Sequence, residues 1–214
     1  MRYFWHAMIA IALLALVLFA FFFLSLRVKN NITFTDDLPT MTTPVVTIAD
    51  PTLGQSDAKV TVVEFGDYAC GSCKTVNDAL LELAQLYPKD VRLVWKDMPN
   101  QSVHPEALNA ALAARCAAKQ NKDSYFTYQA YLFANQDSLG VDLYPALATQ
   151  LKLNPTTLST CVTKQETLPL VQRTYEEGLA LNISATPTVF INGTRFTGTL
   201  AKADLSAAIK AALH

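Results

Sequence analysis

Residues 60–73 read VTVVEFGDYACGSC, and most of the expected architecture follows from them. The first six residues are β-branched or apolar with a single charge, which predicts a strand that is buried on both faces and ends at Gly66. Apolar residues then recur at helical spacing between Val76 and Pro88. This pattern predicts an amphipathic helix with Cys70 at its N-terminus.

The two cysteines of this motif are predicted to form a redox-active dithiol. Unpaired backbone N–H groups and the helix dipole stabilise an anion at a helix N-terminus, and the thiolate is the form that attacks disulfides. Cys70 and Cys73 lie one helical turn apart, which is close enough for them to form a disulfide. We assign Cys70 as the exposed nucleophile and Cys73 as the buried resolving thiol.

A C-x-x-C motif can also be half of a zinc site, but such sites usually bring a second closely spaced pair. Here the other cysteines, Cys116 and Cys161, are far apart, and the three histidines form no cluster. Redox chemistry is therefore favoured over zinc, and neither a metal site nor a cofactor is predicted.

The N-terminal part of the chain has the composition of a membrane anchor. Residues 8–26 carry no charge, and 19 helical residues reach about 28 Å, close to the thickness of a bilayer core. We predict an uncleaved signal anchor at 1–27 and a polar linker at 28–44, with a cleaved signal peptide as the alternative. The cysteine usage suits an oxidising compartment, so the folded domain is expected to be periplasmic or extracellular.

The whole chain has 214 residues, a net charge of −1 and only 16% charged residues. This length is enough for one packed domain with an appendage. Because no run of Lys or Arg is present, nothing in the composition suggests binding to nucleic acid.

The remaining patterns predict an α/β domain at 45–214. A second strand at Val91–Lys96 completes a β-α-β unit with parallel pairing, and Val45–Ile48 is expected to form a short leading strand before a loop. The strand pattern then disappears, and helical patterns between about 104 and 182 predict an inserted helical subdomain. Strands return around Asn192-Gly193, a strong hairpin signal, and an amphipathic helix closes the chain.

This order of elements resembles the thioredoxin superfamily, and most closely its DsbA-like thiol:disulfide oxidoreductases, which carry a helical insert. The most specific segments are VEFGDYACGSC at 63–73 and ATPTVFI at 185–191. The resemblance implies a cis Pro187 beside the dithiol and a Thr186 backbone that pairs with an extended substrate segment. Taken alone, Pro187 would instead be a trans proline at the start of an edge strand.

The resemblance also implies roles for two charged residues. Glu64 matches a buried acid that some relatives carry beneath the active site, and Lys96 resembles its usual partner. A buried Glu64 would have a raised pKa and could relay a proton to or from Cys73. The alternative is a solvated pair at the strand ends. His104 and Arg115 are interpreted as surface or helix-end residues.

A second disulfide is expected between Cys116 and Cys161, as in some DsbA-like relatives. Each cysteine lies on the apolar face of a predicted helix of the insert, where a free thiol would be a small buried hydrophobe. In an oxidising compartment we favour the bridge over two free thiols.

The expected function is that of a monomeric oxidase that introduces disulfides into exported proteins and is reoxidised by a membrane partner. A reductase or isomerase fed by a membrane electron donor is the alternative, and a Cu(I) carrier is a third reading. The motif holds Gly71-Ser72 where the best-known DsbA pattern has Pro-His. The missing imidazole predicts a less stabilised thiolate and a milder oxidant.

Overall fold

The computed structural model describes residues 6, 8, 13–20, 41–198 and 200–214. The chain forms two compact units, residues 1–38 and 39–214. In the first unit, the described residues have helical backbone and exposed side chains. None of the described helices is both long enough and apolar enough to cross a bilayer. Most of the predicted anchor and all of residues 28–40 of the linker lie outside the described residues.

The second unit is built on a mixed sheet, as the sequence predicts. Its strands in the described residues are β1 (Thr52–Leu53), β2 (Val60–Gly66), β3 (Val91–Asp97), β4 (Thr188–Ile191) and β5 (Thr194–Phe196). The order across the sheet is β1-β3-β2-β4-β5, with β2 and β3 parallel and the other neighbours antiparallel. Strand β2 is therefore central, which explains its apolar composition on both faces.

The helices follow the apolar periodicity of the sequence closely. They are α1 (Gly71–Leu86), α2 (Ala107–Gln120), α3 (Tyr125–Ala134), α4 (Leu143–Gln150), α5 (Pro155–Thr163), α6 (Leu168–Ala180) and α7 (Lys202–Leu213). Helices α2 to α6 occupy the interval between β3 and β4, where the helical insert is expected. A disulfide joins Cys116 of α2 to Cys161 of α5 across 45 residues, with an S–S distance of 2.01 Å.

The turn between β4 and β5 has the backbone conformation that an Asn-Gly pair favours. Asn192 and Gly193 have φ angles of 47° and 84°, and Ile191 pairs with Thr194 on either side of them. Two consecutive residues with positive φ are the signature of the two-residue hairpin turn that Asn-Gly favours. On its other side, β4 pairs with β2 in antiparallel register.

The predicted strand at Val45–Ile48 is wrong, because side chains take the hydrogen bonds that a strand would need. The Val45 N–H donates to Glu177 Oε1 at 2.8 Å, and the Val45 carbonyl accepts from Lys96 Nζ at 2.7 Å. The Thr47 N–H donates to Asp50 Oδ2 at 2.7 Å. The edge strand of the sheet is instead β1, which lies in the segment after Ile48 that is predicted to be a loop.

A buried charge network holds residues 41–50 against the domain. Lys96 Nζ lies 3.0 Å from Asp50 Oδ2 and 2.7 Å from Glu177 Oε2, and both the Lys96 and the Asp50 side chains are fully buried. Arg173 adds a contact of 2.5 Å to the other oxygen of Asp50. The charges of the two cations and two carboxylates balance, which offsets the cost of burying Lys96 and Asp50.

Candidate active site

Cys70 caps the N-terminus of α1 with its own sulfur. Its backbone is extended, and its Sγ accepts a hydrogen bond from the Cys73 N–H at 3.4 Å. The Ser72 hydroxyl lies 3.1 Å from the same sulfur. Hydrogen bonds from the Cys73 thiol, Ser72 and the Cys73 N–H lower the pKa of Cys70 to about 5, against the opposing effect of burial. The thiolate is therefore the dominant form of a reduced Cys70 at neutral pH.

Cys73 has the opposite environment. It is completely buried. Cys70 keeps 9% of its surface, so it is less exposed than the sequence analysis predicts. Donation of its proton to Cys70 and burial both raise the pKa of Cys73 well above its ordinary value. The Asp67 N–H, which donates to Cys73 Sγ at 3.5 Å, acts against that rise. The pair thus combines a ready thiolate with a protonated, sheltered thiol.

The loop before β4 brings Thr186 and Pro187 to the dithiol. The Thr186–Pro187 peptide bond is cis, and Cys70 Sγ lies 3.7 Å from the Thr186 carbonyl oxygen. Because Thr188 pairs with Phe65 on β2, the loop is held at the end of the strand that leads to Cys70. A half-buried backbone segment therefore lies directly beside the nucleophilic sulfur.

Glu64 is fully buried on β2 beneath α1. Its Oε2 accepts a hydrogen bond from the Asn77 amide at 2.8 Å, and Asn77 lies one turn beyond Cys73 on the buried face of the helix. Burial, partly offset by this hydrogen bond, raises the pKa of Glu64 to about 8. Glu64 is therefore protonated at neutral pH and can either give up or take up a proton close to that pH.

The expected pairing of Glu64 with Lys96 is wrong. In the parallel register of β2 and β3, Glu64 lies opposite Trp95, and Lys96 lies opposite Phe65. Successive side chains of a strand point to opposite faces of the sheet, so a shift of one residue separates the acid from the lysine. Lys96 serves the charge network with Asp50 and Glu177 instead.

Of the two residues interpreted as surface or helix-end residues, Arg115 is buried, whereas His104 keeps 28% of its side-chain surface but contacts a buried carboxylate. His104 Nδ1 lies 2.9 Å from Asp67 Oδ2, and the Asp67 side chain is completely buried. Arg115 is 3% exposed, and its Nε donates to Asp97 Oδ2 at 2.6 Å. Both contacts connect segments distant in the sequence, so local patterns could not reveal them.

Sequence reasoning also missed two residues that contact the active-site loop. Ser72 could have been found from its place in the first turn after the nucleophile, where a hydroxyl can reach the capping sulfur. Gln136 follows α3, and its side-chain amide donates to the carbonyls of Tyr68 at 2.7 Å and Cys70 at 3.0 Å. No sequence signal predicts that contact, which depends on how the insert packs.

Within the part of the chain that the structure describes, no group of three or more His, Cys, Asp or Glu side chains is arranged to hold a metal ion.

The fold and the dithiol define a protein of the thioredoxin class. The family model described as "Thioredoxin" matches residues 46–211, and the chain belongs to that family. Its architecture is that of the DsbA-type oxidoreductases.

One curated relative and two solved structures are also similar to the chain. The chain is 34% identical over 149 residues to "Disulfide bond formation protein D" of Bacillus subtilis, covering 66% of this chain and 67% of that protein. The crystal structure of oxidised BdbD from Bacillus subtilis is similar with a TM-score of 0.74 and 28% identity, over 83% of this chain and 99% of that one. The α-DsbA2 structure from Wolbachia pipientis, at 17% identity and a TM-score of 0.69 over 77% and 87% of the two chains, shares the fold.

A different kind of relative matches over only part of its length. The chain is 33% identical over 170 residues to "Na(+)/H(+) antiporter NhaA 1" of Mycolicibacterium gilvum, which is 78% of this chain and 27% of the antiporter. The chain thus spans about a quarter of the length of several curated relatives that it matches.

Proposed function

We propose that this protein is an extracytoplasmic thiol:disulfide oxidoreductase that introduces disulfides into exported proteins through Cys70 and Cys73. The observation that carries the proposal is the asymmetry of the two thiols. Cys70 is a helix-capping sulfur with a pKa of about 5, whereas Cys73 is buried and protonated. A low pKa makes Cys70 a good leaving group, and stabilising the reduced form makes the disulfide more oxidising.

The proposed reaction starts from the Cys70–Cys73 disulfide. A substrate thiolate attacks Cys70 Sγ, the bond to Cys73 breaks, and Cys73 leaves as a thiolate that takes up a proton. A second substrate thiolate then attacks the substrate sulfur of the mixed disulfide, which releases Cys70 as a thiolate and leaves the substrate oxidised. The Thr186 backbone beside Cys70 would pair with the extended substrate segment during both steps.

Glu64 is proposed to supply the proton that Cys73 takes up. It is buried, and its pKa of about 8 allows exchange near neutral pH. In the reverse step it would accept the proton of Cys73. Lys96 has no part in this proposal, since its contacts lie in the network with Asp50 and Glu177.

The proposed location is outside the cytoplasm, with residues 1–27 as a membrane anchor and a membrane redox partner that reoxidises the dithiol. The Cys116–Cys161 disulfide supports an oxidising compartment, because such bridges are rare where thiols are kept reduced. The apolar composition of residues 8–26 supports the anchor.

The reduction potential of the dithiol tests the direction of the reaction. The purified full chain is equilibrated with glutathione buffers, and the free thiols are trapped and counted against a Cys70→Ser variant. We expect a value near or above about −180 mV, the range of protein disulfide isomerase and DsbA. A value near about −270 mV, where thioredoxin lies, would contradict the oxidase proposal and favour a reductase.

A further inference from the structure

A buried carboxylate connects the dithiol to the loop that follows β3. One oxygen of Asp67 accepts from the Ala69 N–H at 2.8 Å, within the active-site loop itself. The other oxygen accepts from the Asn100 N–H at 3.0 Å and lies 2.9 Å from His104 Nδ1. Of these three partners, only His104 contributes a side chain.

The backbone of the same residue contacts the resolving thiol. The Asp67 N–H donates to Cys73 Sγ at 3.5 Å, a contact that favours the thiolate of Cys73 over its thiol. The carboxylate of Asp67 is held by three hydrogen-bond partners, and the N–H of the same residue points to Cys73 Sγ. A rotation of Asp67 would therefore change the hydrogen bond that its N–H donates to Cys73. The imidazole and the thiol are thus linked through one residue.

His104 is itself held in place by the start of α2. The backbone N–H of His104 donates to the Asn100 carbonyl at 2.8 Å, and the backbone carbonyl of His104 accepts from the Ala107 N–H at 3.0 Å. Its side chain keeps 28% of its surface, so it bridges solvent and the buried Asp67 carboxylate. To bond that carboxylate, the imidazole must carry a proton on Nδ1.

We propose that His104 is a positioning residue for Cys73: it orients Asp67 so that the Asp67 N–H stabilises the Cys73 thiolate. The inference rests on the proposed function of the dithiol, and His104 touches neither sulfur. The relevant step is resolution of a mixed disulfide between Cys70 and glutathione. Cys73 thiolate attacks Cys70 Sγ, the Cys70–Cys73 bond forms, and glutathione leaves with the electron pair of the broken bond and takes up a proton.

The test compares two replacements of the imidazole in the full chain. Asparagine carries an amide N–H at about the position of Nδ1, whereas leucine has a similar size and no donor. After the mixed disulfide with glutathione is prepared, the rate of glutathione release is followed by rapid quenching. We expect His104→Leu to slow release about three- to tenfold, the effect of weakening one hydrogen bond, and His104→Asn to stay within about twofold of the natural protein.

Alkylation of Cys70 by iodoacetamide is the control, since none of the groups that donate to its sulfur, the Cys73 thiol, Ser72 and the Cys73 N–H, contacts His104. Its rate should be unchanged in both variants. If His104→Leu does not fold, His104→Gln takes its place, because its amide lies at about the position of Nε2 and should give the same slowing.

The outcomes separate the inference from the function on which it rests. Equal release rates in the leucine variant and the natural protein would overturn the role of His104. Equal slowing in the leucine and asparagine variants would also overturn it, because packing rather than the Nδ1 donor would then matter. If the natural protein forms no mixed disulfide or releases no glutathione, the proposed function itself fails, whatever the variants do.

Discussion

Lowering the pH should remove a stabilising contribution that only the reduced protein has. The pKa of Cys70 falls from its usual 9.0 to about 5 in the folded protein, where Cys70 is 9% exposed. A depressed pKa gives a contribution that is complete above the unfolded pKa and is lost as the pH falls through about 5. At pH 7, two units above the pKa of folded Cys70, ionisation of this thiol stabilises the folded state by about 2.7 kcal/mol relative to the unfolded state. At pH 5 only about 0.4 kcal/mol of this stabilisation remains.

The assay is urea unfolding of the full chain in its reduced and oxidised forms at pH 7 and pH 5. The oxidised form has no thiolate, so other titrating groups largely cancel in the difference between the two forms. We expect the unfolding free energy of the reduced form, relative to the oxidised form, to fall by about 2 kcal/mol between pH 7 and pH 5. Thiol counting verifies that the Cys116–Cys161 disulfide stays intact in both.

A Cys70→Ser variant is the matched control, because serine is similar in size and can cap the helix through its hydroxyl oxygen but does not ionise. The unfolding free energy of this variant should not show the fall of about 2 kcal/mol between pH 7 and pH 5 that is expected of the reduced natural protein. If the difference between reduced and oxidised forms is the same at pH 7 and pH 5, the helix-capping sulfur does not stabilise a thiolate, and the reasoning is refuted.

Three further changes test other parts of the structure. Glu64→Gln in the reduced protein should remove a contribution to the unfolding free energy that falls by about 2 kcal/mol between pH 6 and pH 8, because a pKa raised to about 8 makes this contribution decline as the pH rises; a difference between variant and natural protein that does not change with pH would contradict the raised pKa. Lys96→Met should lower the unfolding free energy by about 3–5 kcal/mol, because Glu177 loses its cation and the buried Asp50 keeps only Arg173, with no change in reduction potential; a shifted potential would return Lys96 to the active site. Replacing both Cys116 and Cys161 by alanine should cost about 4 kcal/mol for a loop of 45 residues and leave glutathione release unchanged, as measured by urea unfolding and rapid quenching.

Local patterns predicted the elements that build the active site. The apolar run of β2, the periodicity of α1 and the Asn192-Gly193 turn each encode their structure within a few residues, so the sheet, the helix that Cys70 caps and the hairpin were all predictable. The contact between Cys70 and Thr186 spans 116 residues and was expected from the resemblance to a family, not from any pattern in this sequence.

The errors share a physical cause, which is that side-chain contacts between distant segments leave no local signal. Val45 looks like the start of a strand, but Glu177 and Lys96 take its hydrogen bonds. The resemblance to a family pairs Lys96 with Glu64, and only the strand register shows that the two side chains point to opposite faces of the sheet. His104 looked peripheral because its partner Asp67 is 37 residues away.

The charge network around Lys96 determines where this domain can be cut or grafted. Asp50 precedes the first strand, yet it neutralises a lysine at the centre of the fold, and the Met41 N–H already donates to the Ala180 carbonyl. A fragment beginning at β1 would keep the five described strands and lose Asp50, one of the two counter-ions of Lys96. The smallest transplantable module therefore begins near residue 41, and a junction with any other protein has to lie upstream of it.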